Sequence, residues 1–112
     1  MDNIIEASTN AVTLIREYLP SNVVLSDMCS FFSVFSDVTR VKLLSALSIT
    51  ELCVTDMAKI LDLNQTTVSH QLRLLRDAGM VTYRRNGKII YYRIANEHFN
   101  NVMLTGAVSL GY

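Results

Sequence analysis

The dipeptide Asn86-Gly87 is the feature that most restricts the fold of this chain. It separates two short runs, 81–84 and 89–93, that are rich in the β-branched and aromatic residues favoured in strands. Asn-Gly is the strongest short-range signal for a two-residue hairpin turn, because both residues tolerate positive φ. We therefore predict an antiparallel hairpin, or wing, over residues 80–94. Elsewhere the apolar residues recur at helical spacing, so we expect a mostly helical α+β fold with one two-stranded hairpin.

The segments on either side of the hairpin are predicted to be helical. Apolar residues recur at near-helical intervals over residues 3–18 and again over 25–35, which indicates one helix in each segment. Asp37 is predicted to cap a third helix, because its carboxylate can accept a free backbone N–H of the first turn. The buried face of that helix is predicted to be Val41, Leu44 and Leu47. A last helix is predicted to begin near Asn96.

Residues 55–79 are predicted to form two helices joined by a short turn. Thr55 or Asp56 is expected to cap the first helix, while Asn64 caps the second and Gly79 ends it. The residues predicted to face the core are Met57, Ile60 and Leu61, then Val68, Leu72 and Leu75. The opposite side of the second helix carries polar and basic residues, namely Thr66, Ser69, His70, Arg73 and Arg76. Two such helices followed by a hairpin are typical of a winged helix-turn-helix.

The charged residues are segregated along the chain. The net charge is zero, yet residues 64–95 hold six basic residues and one acid, which leaves −5 on the remainder. A basic third on a neutral chain indicates a surface for a polyanion, and the second helix can enter the major groove of duplex DNA. The candidate DNA-binding residues are Gln65, Thr66, Thr67, Ser69 and His70 for base edges, and Arg73, Arg76, Arg84, Arg85 and Lys88 for the backbone.

Other classes of protein fit the sequence less well. At 112 residues we expect one domain, 1–112. We find no bilayer-spanning apolar run and no signal peptide, and two cysteines far apart in sequence suit a reducing cytoplasm. Neither a nucleophile–base motif nor a phosphate-cradling glycine loop is present, so we do not expect an enzyme. The alternative from another class is a winged-helix protein-interaction module without DNA binding, against which the charge segregation argues.

Five segments together resemble the ArsR/SmtB family of bacterial winged-helix repressors. They are residues 35–40, 51–58, 67–75 and 83–88, and the pair Tyr91-Tyr92. The resemblance implies a homodimeric repressor, joined through helices in 1–20 and 96–112, that occupies a palindromic DNA operator until an inducer releases it. The sequence supports this separately, because a winged-helix core ends near residue 94 and the first and last helices add apolar surface beyond it.

Metal-sensing members of that family place ligands near the helix-turn-helix, where their Cys-Val-Cys motif corresponds to Cys53-Val54-Thr55. Asp56 matches an acidic ligand of some members, although a helix cap is the favoured interpretation of this residue. The second family site, on the last helix, retains His98 and has Asn96, Ser109 and Tyr112 at the other ligand positions. We therefore predict largely degraded zinc sites and no metal cofactor, with Cys53, Asp56 and His98 as the remaining candidate ligands.

The alternative is a repressor induced by a thiophilic ion such as arsenite, or by a thiol oxidant. Cys53 is the thiol that this hypothesis needs, joined by Cys29 if the fold brings the two together. Cys29 lies on the apolar stripe of the second helix, so we interpret it first as a buried structural cysteine.

Overall fold

A computed structural model describes residues 8–112 of the chain. In that range it contains six α-helices and one antiparallel two-stranded hairpin, which confirms the predicted α+β fold class. The residues divide into two compact units between Phe31 and Phe32, and the expectation of a single domain stays a prediction. None of the described helices is both long and apolar enough to cross a membrane.

The first unit contains one helix and most of a second, and most of their apolar residues are exposed. The first helix, α1, spans Thr9–Tyr18, and Ser8 caps it. The second, α2, spans Asn22–Ser33. Residues 3–7 of the predicted first helix lie outside the described residues. Neither helix buries a residue in the described chain, and Cys29 is exposed, so the interpretation of Cys29 as a buried cysteine is wrong.

The second unit contains the remaining elements. After a 3₁₀ turn at Val34–Ser36 come α3 (Val38–Leu47), α4 (Val54–Leu61), α5 (Gln65–Asp77), β1 (Val81–Asn86), β2 (Ile89–Ile94) and α6 (Phe99–Ser109). Helices α3, α4 and α5 pack on one another, β1 packs on α5, and β2 contacts α3 and α4. The core of this unit consists of Val34, Leu43, Leu44, Leu47, Met57, Ala58, Val68, Leu72, Leu75, Met80, Val81 and Phe99.

Three of the predicted core positions are wrong. In α3, Leu43 is buried with Leu44 and Leu47, whereas Val41 is only half-buried and lines an open apolar groove. In α4, Ile60 is 62% exposed and Leu61 is only half-buried, and both line the same groove. Helical periodicity predicts the spacing of the buried residues along a helix. It does not fix which residue lies at the centre of the buried face, so the observed face can differ from the predicted one by one residue.

Helix α4 begins with Cys53 at its N-terminal capping position, not with Thr55 or Asp56. The reason lies outside the helix, because Leu52 forms an antiparallel bridge with Tyr92. Cys53 leaves this bridge in an extended conformation, with φ −87° and ψ 166°, and the helix starts directly after it.

The hairpin turn is displaced by one residue from its predicted position. Asn86 pairs with Ile89, so the two turn residues are Gly87 and Lys88 rather than Asn86 and Gly87. Gly87 has a φ of 64°, which a residue without Cβ adopts at no steric cost.

The last helix, α6, begins three residues after its predicted start near Asn96. Asn96 instead forms the preceding turn, in which its Oδ1 accepts a hydrogen bond from the His98 N–H at 2.9 Å. Phe99 is buried, and its ring stacks on that of Phe35 with ring centres 5.8 Å apart. This aromatic pair attaches the start of α6 to the 3₁₀ turn.

Candidate nucleic-acid interface

Helix α5 presents a polar side to solvent because its opposite side lies in the core. Val68, Leu72 and Leu75 are buried, as predicted. The residues proposed from the sequence for base contact are all exposed, namely Gln65, Thr66, Thr67, Ser69 and His70. Arg73 and Arg76 are exposed further along the same helix. Exposed hydroxyl, amide and imidazole groups at the start of a helix can donate hydrogen bonds to base edges and accept them.

Asn64 holds the first turn of α5 in place, as predicted. Its Oδ1 accepts hydrogen bonds from the backbone N–H groups of Thr66, at 2.7 Å, and Thr67, at 3.4 Å. Gly79, with a φ of 74°, follows the end of the helix, which confirms the predicted stop. A capped helix N-terminus also favours an anionic group such as phosphate, because its unpaired N–H groups carry partial positive charge.

The turn between α4 and α5 depends on a residue that the sequence analysis did not single out. Asp62 adopts the left-handed conformation, with φ 54° and ψ 51°. The next residue, Leu63, donates its N–H to the carbonyl of Ala58 at 2.9 Å, which closes the end of α4. The chain then reverses its direction, which places Asn64 at the position where it caps α5. This turn therefore orients the two helices of the helix-turn-helix.

The three basic residues near the hairpin tip differ in their surroundings. Arg84, Arg85 and Lys88 are all exposed. Arg84 forms an ion pair with Glu51, 33 residues earlier in the chain. Within residues 8–112, the side chains of Arg85 and Lys88 form no ion pair or hydrogen bond. These two cations therefore remain available to an external anion.

Aromatic contacts join the end of α5 to the hairpin. The guanidinium carbon of Arg76 lies 5.5 Å from the ring centre of Tyr83 on β1. That tyrosine is opposite Tyr92 in the strand register, and the two ring centres are 5.8 Å apart. The hairpin is therefore packed against the helix that carries the candidate base-contacting residues.

Glu51 is a charged residue of this region that sequence reasoning missed. Hydrogen bonds from Arg84 are the main cause that lowers the pKa of Glu51 below its ordinary value of 4.5, and the charges of Arg84 and Arg93 add to this effect. Burial acts in the opposite direction. Glu51 is therefore ionised at neutral pH. No local sequence pattern predicts this contact, because it depends on the long-range pairing of the α3–α4 loop with the hairpin.

Three of the candidate sensor residues lie in the second unit. Cys53 is half-buried at the start of α4, Asp56 is exposed in the first turn of that helix, and His98 is exposed before α6. Across residues 8–112, no three histidine, cysteine, aspartate or glutamate side chains are grouped so that they could hold a metal ion. Residues 8–112 of one chain therefore do not fit a metal centre, and the absence of a metal cofactor stays a prediction.

The helix pair, the exposed polar side of α5 and the adjoining hairpin define a winged helix-turn-helix protein. The family model described as "Bacterial regulatory protein, arsR family" matches residues 37–83. The chain belongs to this ArsR family, which confirms the resemblance seen in the sequence.

Two relatives and one solved structure illustrate the similarity. The chain is 45% identical to a transcriptional repressor SmtB homolog of Synechocystis over 67% of its own length and 57% of the relative's, so it spans less than two thirds of that relative. It is 32% identical to an arsenical resistance operon repressor of Staphylococcus xylosus over 68% of this chain and 73% of that protein. The homodimeric winged helix-turn-helix DNA-binding domain Mb0332 of Mycobacterium bovis superimposes with a TM-score of 0.71 at 28% identity, covering 83% of this chain and 93% of that one.

Proposed function

We propose that this chain is a cytoplasmic, sequence-specific transcriptional repressor that binds a palindromic operator in duplex DNA as a homodimer. The observation that carries the proposal is the exposed polar side of α5 beside a hairpin with two unpaired cations, Arg85 and Lys88. Membership of the ArsR family supports it, as does the similarity to a DNA-binding winged helix-turn-helix domain.

The two parts of this surface have different proposed roles. The start of α5 enters the major groove, where Gln65, Thr66, Thr67, Ser69 and His70 contact base edges. Arg73, Arg85 and Lys88 contact phosphates, which carry no sequence information but fix the register of the protein on the duplex. Arg76 and Arg84 lie on the same surface and contact tyrosine rings of the hairpin, and Arg84 is also paired with Glu51.

The proposed dimer is formed through residues 1–20 and 96–112. Exposed apolar side chains on α1 and α6 support this, among them Leu14 and Ile15 on α1 and Leu104 and Val108 on α6. The solved domain Mb0332 is itself homodimeric. A closed two-fold dimer presents two copies of α5 to two half-sites, which is the geometric reason for a palindromic operator. Light scattering at micromolar concentration should give twice 12.6 kDa, and a monomer would contradict the proposal.

The test of DNA binding compares substitutions of both kinds of residue on the DNA upstream of the protein's own gene and on a scrambled duplex. Ser69→Ala should weaken binding to the operator by about 1–3 kcal/mol and leave binding to the scrambled duplex nearly unchanged. Lys88→Ala should weaken both and lower the slope of log K against log salt by about 1 for each lost phosphate contact. Lys42→Ala is the matched control, because it removes the same charge from an exposed position on α3.

Equal losses on both duplexes for Ser69→Ala would show that Ser69 does not read bases. Loss of binding in Lys42→Ala as large as in Lys88→Ala would show that the hairpin has no particular role. A wild-type chain that binds neither duplex would favour the protein-interaction module instead.

Zinc is not proposed as the inducer, because Asn96, Ser109 and Tyr112 offer neutral oxygen atoms where family members have ligands. The alternative signal is a thiophilic ion or thiol oxidant that reacts with Cys53, with or without Cys29. The half-buried position of Cys53 at the start of α4 and the similarity to an arsenical resistance operon repressor favour it. Arsenite or a mild oxidant should then release DNA from the wild type and not from Cys53→Ser. Release by sub-micromolar zinc in both would overturn this view of the sensor.

A further inference from the structure

The loop before α4 is hydrogen-bonded to the hairpin. Leu52 and Tyr92 exchange two backbone hydrogen bonds, with N···O distances of 3.1 and 2.9 Å. Because Tyr92 also pairs with Tyr83 on β1, the loop occupies the other edge of β2. The hairpin is thus extended on one edge by residues that lead directly into the helix-turn-helix.

An ion pair crosses this three-stranded patch. The Nε of Arg84 donates to both carboxylate oxygens of Glu51, at 3.0 and 3.1 Å, and a terminal guanidinium nitrogen donates to one of them. Arg84 belongs to β1 and Glu51 to the loop beyond β2, so the pair spans the middle strand. The guanidinium carbon lies 4.9 Å from the ring centre of Tyr91, the residue opposite Arg84 on β2.

We propose that Glu51 is a positioning residue that, through Arg84, holds the hairpin in one orientation against the helix-turn-helix. This inference rests on the proposed DNA-binding function. In a DNA complex, Arg85 and Lys88 must reach phosphates while α5 lies in the groove, and this requires a fixed distance between hairpin tip and helix. The ion pair, the Tyr91 ring and the Leu52–Tyr92 bridge together supply that constraint.

A competing role for the pair, based on electrostatics alone, predicts the opposite result. If Arg84 contacted phosphate and Glu51 merely competed for it in the free protein, removal of the carboxylate would strengthen DNA binding. If Glu51 positions the hairpin, removal of its carboxylate weakens DNA binding, although the protein has lost a negative charge. The variant Arg84→Lys also distinguishes the two roles. It keeps the positive charge but loses the forked geometry that two guanidinium nitrogens provide.

The experiment measures Kd for the operator duplex by fluorescence anisotropy with full-length wild type, Glu51→Gln, Arg84→Lys and the double variant. Asp56→Asn is the matched control, since it removes a negative charge from an exposed position in the first turn of α4. Exposed ion pairs contribute little, so the expected loss is about 1.4- to 5-fold in Kd per wing and about 2- to 30-fold for a dimer with two wings. We expect Glu51→Gln and Arg84→Lys each to weaken binding within this range, the double variant to lose little more than either, and Asp56→Asn to bind as tightly as wild type or more tightly.

A measurement on the free protein makes the inference independent of DNA. The heteronuclear NOE of the backbone amides of residues 85–88 reports how rigidly the hairpin tip is held, and it should fall in Glu51→Gln and Arg84→Lys but not in Asp56→Asn. Because exposed ion pairs add little stability, the melting temperatures should change by no more than a few degrees.

Unchanged amide NOE values in both variants, or DNA binding by Glu51→Gln as tight as that of wild type, would overturn the positioning role. Absence of duplex binding by the wild type would overturn the proposed function instead, and the NOE comparison would still decide whether Glu51 orders the hairpin.

Discussion

The cap of the recognition helix α5 offers a prediction that links stability to DNA binding. Asn64→Ala removes the acceptor of two backbone N–H groups, of which the bond to Thr66 at 2.7 Å is strong and that to Thr67 at 3.4 Å is marginal. We therefore count one full capping bond. Because the site is exposed, water can solvate the freed groups, and the expected cost is about 1 kcal/mol, in the middle of the range for such caps. For a chain of 112 residues this corresponds to a fall in melting temperature of about 3–6 °C.

The effect on DNA binding has the same origin. Gln65, Thr66 and Thr67 belong to the turn that loses its cap, so this turn must be ordered when DNA binds. A cost of about 1 kcal/mol corresponds to a roughly fivefold weaker Kd for each recognition helix. Circular dichroism at 222 nm during heating gives the stability, and fluorescence anisotropy with the operator duplex gives the affinity.

Two further variants make this prediction specific. Asn64→Asp keeps the acceptor and places a negative charge at the helix N-terminus, so stability should be kept or raised by about 0.3–1 kcal/mol while binding to the anionic duplex weakens. Ser21→Ala removes a comparable cap from α2, where Ser21 Oγ accepts from the Val24 N–H at 3.3 Å, and it should lower stability without affecting DNA binding. The reasoning is refuted if Asn64→Ala melts at the wild-type temperature, or if Asn64→Asp is the less stable of the two Asn64 variants.

Three other predictions concern the same compact unit. Asp62→Gly should raise the free energy of unfolding by about 1 kcal/mol, because the left-handed conformation at this position strains residues with a Cβ; urea denaturation checks this, and a lower midpoint would contradict it. Leu72→Ala should lower that free energy by about 2–5 kcal/mol because Leu72 is fully buried, whereas Leu74→Ala, at a position 42% exposed, should lower it far less. The Glu51 carboxyl has a lowered pKa, chiefly through Arg84, so the contribution of this pair to stability is present above the ordinary pKa of 4.5 and is lost as pH falls through the lowered value. NMR titration of the Glu51 side-chain carboxyl carbon should therefore give a higher pKa in Arg84→Gln than in wild type, and equal values would show that Arg84 is not the cause.

Local signals in the sequence were sufficient to predict the recognition helix, α5. The cap at Asn64, the stop at Gly79 and the buried stripe of α5 all follow from interactions within a few residues, and the structure confirms each of them. The polar outer side of the helix follows from the same periodicity. This is why the candidate base-contacting residues could be chosen before the fold was known.

The predictions that failed concern places where segments far apart in the sequence contact each other. Helix α4 starts after Cys53 because Leu52 pairs with Tyr92, forty residues away, and no property of the capping residues themselves encodes this. The Glu51–Arg84 pair has the same origin. The hairpin turn was misplaced by one residue because Asn and Gly both tolerate positive φ, and the strand register decides which pair of residues forms the turn.

The central claim is that α5 and the hairpin form a sequence-specific DNA-binding surface. The most direct test compares the Kd of the wild-type chain for the duplex upstream of its own gene with that for a scrambled duplex of equal length, at several salt concentrations. The account predicts an operator affinity at least about a thousandfold higher at physiological salt, with both affinities falling as salt rises. Equal affinity for the two duplexes, or binding to neither, would contradict it.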